Sequence, residues 1–232
     1  MKSGGKSFGK PPELHDWDLT PREAIAVQRT LREQIRTDLQ IVNPRMIAGV
    51  DVAYDKPTGQ SIATVALLEY PELRLAGSAT VRMETPFPYV PGLLSFRELP
   101  PILQAFQKIE TAVDLIFVDG HGQAHPRQMG IASHLGLWLR LPTIGIGKSR
   151  LCGAYEEPGP AKGDCSDLVY QNRLVGRVLR TRTGVRPIFV SVGYGLPLED
   201  CIRWALAVTP RYRLPEPIRF ADRLAGEAKK VK

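Results

Sequence analysis

The sequence has few cysteines and no long hydrophobic segment, and both absences narrow the class of protein. It contains 3 cysteines, an odd number, and none of them forms a C-x-x-C pair. This argues against a disulfide framework and a structural zinc site, and it fits a reducing, cytoplasmic location. No apolar run approaches the roughly 18 residues that a membrane-spanning helix requires. Segment 1–12 lacks the apolar core of a signal peptide and is expected to be a flexible basic tail.

The sequence does have the composition of a globular protein with a basic surplus. Its 232 residues are 43% hydrophobic and 24% charged, which excludes disordered, collagenous and disulfide-scaffold chains. With 31 Lys and Arg against 24 Asp and Glu, the formal net charge is +7. Such a surplus permits binding to nucleic acid or to an anionic membrane without establishing either. We expect a single domain over 13–225, followed by a basic C-terminal tail over 226–232.

The first predicted helix has two distinct faces. Thr20-Pro21-Arg22-Glu23 combines a capping threonine, a proline at the first helical position and a returning glutamate, which together mark a helix start. Arg29, Arg32 and Arg36 fall on one face, where they either contact phosphates or remain solvated. Apolar residues recur at helical spacing on another face, which is expected to pack inward. These residues are Ala24, Val27, Leu31 and Ile35.

Apolar patterning predicts three strands followed by helices and strands in alternation. The three strands are Met46–Tyr54, Ile62–Tyr70 and Leu75–Met83. Their short connections are typical of an antiparallel meander. The alternating elements are helix Ile102–Ile109, strand Asp114–Val118, helix Ile131–Leu139 and strand Thr143–Ile146, and extra strands and helices follow toward the C-terminus. This order predicts an α/β fold with a ribonuclease H-like mixed sheet flanked by helices.

Two aspartates lie where a carboxylate is costly. Asp51 interrupts the apolar strand Ile47–Ala53, and Asp119 ends the apolar run Leu115–Val118. An ionised carboxylate at a sheet needs a cation or hydrogen bonds to compensate it. In the predicted fold the first and fourth strands are neighbours, so we expect the two carboxylates to converge on a site suited to Mg²⁺ or Mn²⁺. Taken alone, either aspartate could instead cap a turn or pair with an arginine.

Other polar positions allow two interpretations each. Glu98 ends a capping-box pattern, Ser95-Phe96-Arg97-Glu98, which would make it a helix-start residue. Pro100 argues instead that the helix begins later. Gly145-Ile146-Gly147-Lys148-Ser149 resembles the end of a P-loop, but Pro142 stands where the first glycine belongs. Lys148 is then either a cation for a phosphate or a plain surface residue.

Four motifs in the chain resemble the endonuclease V family. They are Pro88-Tyr89-Val90-Pro91-Gly92, Ser95-Phe96-Arg97-Glu98, the run from Val118 to Arg127, and the run from Gly130 to Gly136. The likeness extends from the first helix to about Leu224. It implies a ribonuclease H-like core, dependence on Mg²⁺ with Mn²⁺ able to substitute, and a role in DNA repair. The implied reaction hydrolyses the second phosphodiester bond on the 3′ side of a deaminated base, chiefly inosine, leaving 3′-hydroxyl and 5′-phosphate ends.

The resemblance also assigns roles to residues of this chain. By motif, the metal-site carboxylates would be Asp51, Glu98 and Asp119, and the catalytic set would add Lys148 near the scissile phosphate and Asp222 as a fourth acidic member. Some relatives have histidine at that last position. Tyr89, Val90 and Pro91 resemble a wedge that fills the gap left by a flipped base, although they could also form a plain proline-rich turn. Gly92, Leu94, Ile131 and Gly136 would line the base pocket, with His125 and Arg127 contacting substrate nearby.

Two other functions remain open from the sequence. A protein that binds inosine-containing nucleic acid without cutting it would carry the same recognition motifs, although intact Asp51, Glu98 and Asp119 argue against it. A metallohydrolase of small phosphate esters would use Asp119 with His121 and His125, but the intervening glycines preclude a helical ligand pair. The expected partner is inosine-containing DNA, with RNA as an alternative. We expect no membrane association and a monomer.

Overall fold

A computed structural model of the protein describes residues 13–230, so the tail expected at 1–12 lies outside the described residues. The strands are β1 (Met46–Asp55), β2 (Gln60–Glu69), β3 (Arg74–Glu84), β4 (Leu115–Asp119), β5 (Thr143–Gly147), β6 (Cys165–Tyr170), β7 (Arg173–Leu179) and β8 (Ile188–Tyr194). The helices are α1 (Pro21–Leu31), α2 (Leu94–Gln107), α3 (Ile131–Leu139), α4 (Leu198–Ala207) and α5 (Glu216–Lys230). A short 3₁₀ turn at Arg32–Gln34 follows α1.

The eight strands of the described range form one mixed sheet in the order β3-β2-β1-β4-β5-β8-β7-β6. The pairs β1–β2 and β2–β3 are antiparallel, which confirms the predicted meander. The pairs β1–β4 and β4–β5 are parallel. This arrangement confirms the predicted ribonuclease H-like α/β fold, and it places the carboxyl ends of β1, β4 and β5 at one edge of the sheet.

Helices cover both faces of the sheet. Because side chains alternate along a strand, neighbouring residues of β1 contribute to opposite layers. Ala48 and Val50 pack with residues of α2 and α3, whereas Ile47 packs with residues of α4 and α5. Each layer therefore has its own apolar core, and Asp51 belongs to the face that α5 covers. None of the helices within 13–230 combines the length and hydrophobicity required to cross a membrane.

Helix α5 approaches β1 closely because residue 49 has no side chain. A Cβ atom at Gly49 would lie 1.9 Å from the carbonyl oxygen of Pro217 and 2.8 Å from the amide nitrogen of Ile218. Neither backbone atom can move without shifting the whole helix. Helix α5 also extends to Lys230, so most of the segment expected as a basic C-terminal tail continues this helix.

We expect Gly49→Ala to destabilise the protein, because an added methyl group overpacks the contact between β1 and α5. Overpacking costs about 1–3 kcal/mol, which corresponds to a fall in Tm of about 2–12 °C for a chain of this size. Gly226→Ala is the matched control, since it lies in α5 with no atom within 4 Å of its added Cβ. That variant should be at least as stable as the wild type. Equal Tm values for the two variants in thermal melting would contradict the role given to Gly49.

The start of α2 differs from the prediction. The helix begins at Leu94 and contains Pro100 and Pro101, whereas the sequence indicated a start at Ile102. Each proline removes one helical N–H donor, but the helix is stabilised by tertiary packing of its apolar face against the sheet. The expected capping box does not form, because the Ser95 hydroxyl pairs with Nδ1 of His134 at 3.1 Å. Glu98 is therefore not a capping residue and lies in the second turn of α2.

Candidate functional site

Three polar side chains meet where β4 and β5 end beside the middle of β1. Asp51 lies in β1, Asp119 is the last residue of β4, and Lys148 follows β5 directly. The Lys148 ammonium group forms an ion pair with Asp119. Asp51 lies close enough to Asp119 for the two carboxyl groups to interact, and this interaction helps to raise the pKa of Asp51. The two aspartates thus converge as the strand order predicted, and Lys148 is more than a solvated surface residue.

Burial and mutual repulsion make the ionised forms of the clustered carboxyl groups unfavourable. The pKa of Asp51 is raised to about 7, first by burial and then by the hydrogen bond and negative charge of Asp119, while Lys148 opposes the rise. The pKa of Glu98 is raised to about 8 by burial, with the charges of Asp51 and Asp119 acting in the same direction. Glu98 is therefore close enough to both aspartates to be affected by their charges. A bound cation would relieve this repulsion.

The donor set of this cluster suits a hard divalent cation. Within residues 13–230 no three His, Cys, Asp or Glu side chains are already arranged as a coordination cluster. Asp51 and Asp119 are nonetheless in direct contact, and Glu98 reaches the same region from α2. Carboxylate oxygens are the ligands that Mg²⁺ and Mn²⁺ prefer, and neither thiolate nor imidazole is part of this group. The residues present therefore fit the ion that the resemblance implied.

Asp222 lies at the rim of the cluster. It is an exposed residue of α5, and its charge acts on both Asp51 and Lys148. The close approach of α5 to β1 at Gly49 brings it to this edge of the sheet. The structure therefore places Asp222 near Asp51 and Lys148, on the solvent side of the cluster.

The backbone that carries Lys148 is held from two sides. Arg213 Nη2 donates a hydrogen bond to the Lys148 carbonyl oxygen at 2.7 Å, and His121 Nε2 donates to the Ser149 carbonyl oxygen at 3.0 Å. Partial burial lowers the pKa of Lys148, but the contact with Asp119 and the nearby charges raise it by more. Lys148 therefore stays charged and fixed beside the carboxylates.

A cavity of about 220 Å³ adjoins the carboxylates, because Gly120 lines it and directly follows Asp119. It is smaller than the roughly 300–1,000 Å³ of pockets for drug-sized ligands, and is thus of a size for a single base. Seven of the expected substrate-binding residues line it: Tyr89, Val90, Pro91, Gly92, Leu94, His125 and Ile131. Residues that the sequence analysis missed also line it, among them Gln28, Ser95, His121, Gly130 and Arg150.

The cavity lies between the amino ends of two helices. Leu94 and Ser95 begin α2, and Ile131 begins α3. The first N–H groups of a helix have no partner within the helix, and neither of these two helices has a side-chain cap. The N–H of Phe96 donates to the Leu93 carbonyl oxygen and that of Ala132 to the His121 carbonyl oxygen, so the earlier N–H groups, at Leu94 and Ile131, are the donors for an acceptor in the cavity.

The expected wedge begins a tight turn. Leu93 N donates to the Val90 carbonyl oxygen at 2.9 Å, and Gly92 has a φ of +79°. Proline followed by glycine is the sequence typical of a type II turn, because only its third position requires positive φ. Tyr89 precedes this turn and is 73% exposed. The turn therefore fixes one wall of the cavity and leaves the tyrosine ring in solvent beside it.

Three side chains converge on the carbonyl oxygen of Gly92. Gln28 Nε2 donates to it at 3.0 Å, His125 Nε2 at 2.9 Å and Arg127 Nη2 at 2.6 Å. Arg127 thus supports the cavity wall from behind instead of lining the cavity. Gln28 escaped the sequence analysis, although a signal was present. It lies four residues after Ala24 and three before Leu31, so it is a polar residue on the buried face of α1.

Gly136 does not lie at the cavity, which corrects the sequence-based assignment. A Cβ atom there would lie 2.3 Å from Cβ of Tyr194 and 2.5 Å from Oγ1 of Thr143. The residue is a glycine because α3 packs closely on β5 and β8. Gly130, the N-cap of α3, lines the cavity instead. Both glycines belong to the same sequence motif, and only the folded chain distinguishes them.

The rings of the two histidines near Asp119 form hydrogen bonds with backbone groups. His121 Nε2 donates to the Ser149 carbonyl oxygen, and His125 Nε2 donates to that of Gly92. His125 Nδ1 accepts from the backbone N–H of Arg127 at 3.1 Å. These bonds hold the loops around the cavity together. They do not favour a small-ester hydrolase in which Asp119, His121 and His125 bind one metal ion.

Carboxylates at the carboxyl edge of a ribonuclease H-like sheet, next to a cavity of this size, define an α/β nuclease. Comparison with known proteins identifies which one. Residues 29–223 match the family model described as Endonuclease V, so the chain belongs to the endonuclease V family. Members of this family are metal-dependent nucleases that act on DNA. The chain is accordingly an endodeoxyribonuclease, a phosphodiester hydrolase.

Similar proteins cover nearly the whole chain. An endonuclease V of Nostoc punctiforme is 48% identical over 213 residues, which span 91% of this chain and 96% of that protein. The crystal structure of endonuclease V from Streptomyces avermitilis is 44% identical, with a TM-score of 0.88 over 92% of this chain and 95% of that one. Endonuclease V of Ciona intestinalis is 27% identical, with a TM-score of 0.81 over 91% of this chain and 99% of that one. That structure holds a 23-mer DNA containing an inosine followed by a ribo-adenosine.

Proposed function

We propose that this endonuclease recognises deaminated bases, chiefly inosine, and hydrolyses the second phosphodiester bond on their 3′ side. The products would carry 3′-hydroxyl and 5′-phosphate ends, and the role would be DNA repair. The observation that carries this proposal is the position of the cavity. Gly120 lines it and Asp119 precedes Gly120, so a base held there leaves its backbone beside the carboxylates. The inosine-containing DNA bound by the Ciona intestinalis relative supports the choice of base.

The helix ends at the cavity account for the preference for inosine. Hypoxanthine offers acceptors that the first N–H groups of α2 and α3 can bind, near Leu94 and Ile131. Guanine differs from hypoxanthine by an exocyclic amino group. A cavity wall packed against the edge of hypoxanthine that lacks this group would leave no room for it, so guanine would be rejected by its shape. Adenine carries an amino group in place of the hypoxanthine carbonyl, so it would leave a buried donor unpaired.

Tyr89 is the residue that would separate the flipped base from its stack. Its ring is 73% exposed next to the cavity, and the following turn is fixed by a hydrogen bond between Leu93 and Val90. An exposed aromatic side chain on a rigid turn can occupy the space that a departing base leaves. The unstacking cost of a few kcal/mol is then partly offset by contact with the ring.

The reacting phosphate would lie at Asp51, Asp119 and Lys148. Asp51 and Asp119 would hold Mg²⁺ or Mn²⁺, with Glu98 completing the acidic group. The ion supplies a polarised phosphoryl oxygen and a bound water of lowered pKa. Lys148, held by its ion pair with Asp119, would place a positive charge at the phosphate or at the attacking water. Asp222 would adjust the charge of the cluster from the solvent side.

Cleavage of matched strands tests this function. Labelled DNA with one central inosine, or with guanosine at the same position, is incubated with Mg²⁺, with Mn²⁺ and with chelator. We expect cutting of the inosine strand alone, with either metal, and none with chelator. The same strand made as RNA, or with a ribonucleotide after the inosine, shows whether RNA is also a substrate. Binding to inosine without cutting under all conditions would contradict the nuclease and favour a recognition protein.

The arginines in α1 and in the segment that follows it lead to a separate prediction about phosphate contacts. Arg32 pairs with Glu33 at 2.7 Å and Arg36 with Asp38 at 2.8 Å, whereas no such carboxylate partner is found for Arg29 among residues 13–230. The charge of Arg29 acts instead on Arg127, beside the cavity wall. The positive charges of Arg29 and Arg127 therefore favour binding of a phosphate group at this position.

We therefore expect Arg29→Gln to reduce the salt dependence of binding. The slope of log Kd against log salt concentration for duplex DNA should fall by about 0.9, the value for one lost phosphate contact. Arg32→Gln and Arg36→Gln are matched controls in the segment that follows α1, and they should leave the slope unchanged. The measurement is a salt titration of binding in chelator, which prevents cleavage. A similar reduction of the slope in all three variants would contradict a specific phosphate contact at Arg29 and would show that the positive charge of this surface acts as a whole.

A further inference from the structure

Gln28 is a buried polar residue with an unusual set of partners. It is 1% exposed, and its amide nitrogen donates to the carbonyl oxygens of Gly92 at 3.0 Å and Met129 at 2.9 Å. Its amide oxygen accepts a hydrogen bond from Arg127 Nε at 2.5 Å. All three partners belong to loops that surround the cavity. Gln28 itself lines the cavity, although it comes from α1.

The two carbonyl groups belong to different segments next to the cavity, and both accept from the same nitrogen of Gln28. Gly92 belongs to the turn that follows Tyr89, and Met129 directly precedes Gly130, the N-cap of α3. One side chain therefore connects the turn in front of α2 with the loop in front of α3. A glutamine is well suited to this position, because its amide donates two hydrogen bonds and accepts others. Neither glutamate nor methionine offers two donors.

The peptide between Gly92 and Leu93 is fixed at both of its polar atoms. Its carbonyl oxygen accepts from Gln28, His125 and Arg127, and its N–H donates to the Val90 carbonyl oxygen. Rotation of this peptide would break bonds on both sides. The distance between the turn and the first residues of α3 is consequently set before any base enters, which lowers the entropic cost of binding.

We infer that Gln28 is a positioning residue for base recognition. It ties the turn in front of α2 to the loop in front of α3 and so keeps the turn that presents Tyr89 in place. This inference rests on the proposed function, because it gives the cavity a base as its ligand. It assigns no chemical step to Gln28, which acts through the backbone of Gly92 and Met129. Loss of its two donors should therefore affect the recognition of inosine and spare general binding to DNA.

Binding of matched strands in chelator tests the inference. The quantity measured is the ratio of Kd for a guanosine strand to Kd for the inosine strand. We expect Gln28→Met and Gln28→Glu to reduce this ratio by about tenfold, the effect of one or two hydrogen bonds lost in a buried setting. Binding of the guanosine strand should stay at its wild-type value. Gln28→Glu keeps an acceptor for Arg127, so a loss shared by both variants assigns the effect to the two donors.

A control variant separates recognition from stability. Thr143→Val removes a buried hydrogen bond, from Oγ1 to the Ala132 carbonyl oxygen at 2.8 Å, at the end of β5 away from Lys148. It should keep the wild-type ratio, whatever its Tm. A Gln28→Met protein with the wild-type ratio, or with inosine and guanosine binding weakened equally, would overturn the inference. If the wild type itself shows no preference for inosine, the proposed function fails first, and this is seen before any variant is measured.

Discussion

Replacement of Asp119 by asparagine is expected to reduce cleavage of an inosine strand by about a thousandfold. Asp119 contacts both Asp51 and Lys148, so it is the central member of the polar cluster. Asparagine keeps the shape of the side chain but removes the charge that would bind a divalent cation. Metal ions contribute several kcal/mol to such reactions, and each 1.36 kcal/mol corresponds to a factor of ten in rate. The measurement is single-turnover cleavage at saturating enzyme.

Binding of the inosine strand should survive the same substitution, because the cavity does not use the Asp119 carboxylate. Asp114→Asn is the matched control. This residue directly precedes β4, at the opposite end from Asp119, and its carboxylate accepts from the backbone N–H groups of Arg45 at 2.8 Å and Met46 at 3.0 Å. It should cut at the wild-type rate once folded. Cleavage at the wild-type rate by Asp119→Asn would contradict the assignment of Asp119 to a metal site.

Tyr89→Ala is the second substitution with a large expected effect. The ring is exposed beside the cavity, so its removal costs little stability but eliminates the contact that replaces the lost base stack. Stacking of an aromatic side chain on a base contributes about 1–3 kcal/mol, or a factor of roughly 5 to 150 in affinity. We expect kcat/KM for the inosine strand to fall by about that factor. Cleavage of strand already bound should change much less.

Two further variants distinguish a wedge from a packed tyrosine. Tyr89→Phe keeps the ring and should retain most of the wild-type kcat/KM. Leu174→Ala truncates another exposed apolar side chain, on β7, and should have no effect on cleavage. If Tyr89→Ala cuts inosine strands with unchanged kcat/KM, the turn would be a structural feature and the wedge would have to be sought elsewhere.

Most strands could be predicted because they are short, mainly apolar or alternating segments separated by turn residues. The first and fourth strands lie side by side as the element order predicts, and this pairing brings Asp51 next to Asp119. The bounds of α3, Ile131–Leu139, also agree with the prediction. These features depend on local patterning and on simple rules for connecting strands, and both can be deduced from one sequence.

Features that depend on tertiary packing could not be predicted. The start of α2 was placed too late, because proline disfavours a helix locally while burial of the following apolar residues compensates for it. Gly136 was predicted to line the base pocket, but Gly130 and not Gly136 lines the cavity. A glycine in a sequence shows that space is limited, but it does not show which neighbour limits that space.

Glu98 and Gln28 show two different reasons why a site residue cannot be assigned from sequence patterns alone. Glu98 was proposed from a family motif, against a capping pattern that turned out not to form. Its position near Asp51 and Asp119 results from α2 packing over the sheet. Gln28 was overlooked because one polar residue on an apolar helix face carries little information by itself. Its importance follows from three partners that are distant in sequence.

The central claim is that one site both holds the base and cuts the strand beside it, and the position of the cut tests this most directly. DNA with a single inosine is labelled at either end, cleaved in Mg²⁺ and resolved at one-nucleotide resolution. The account predicts one cut, at the second phosphodiester bond on the 3′ side of the inosine, with a 5′-phosphate on the downstream product. Cuts at scattered positions, or at the same positions when guanosine replaces inosine, would contradict it.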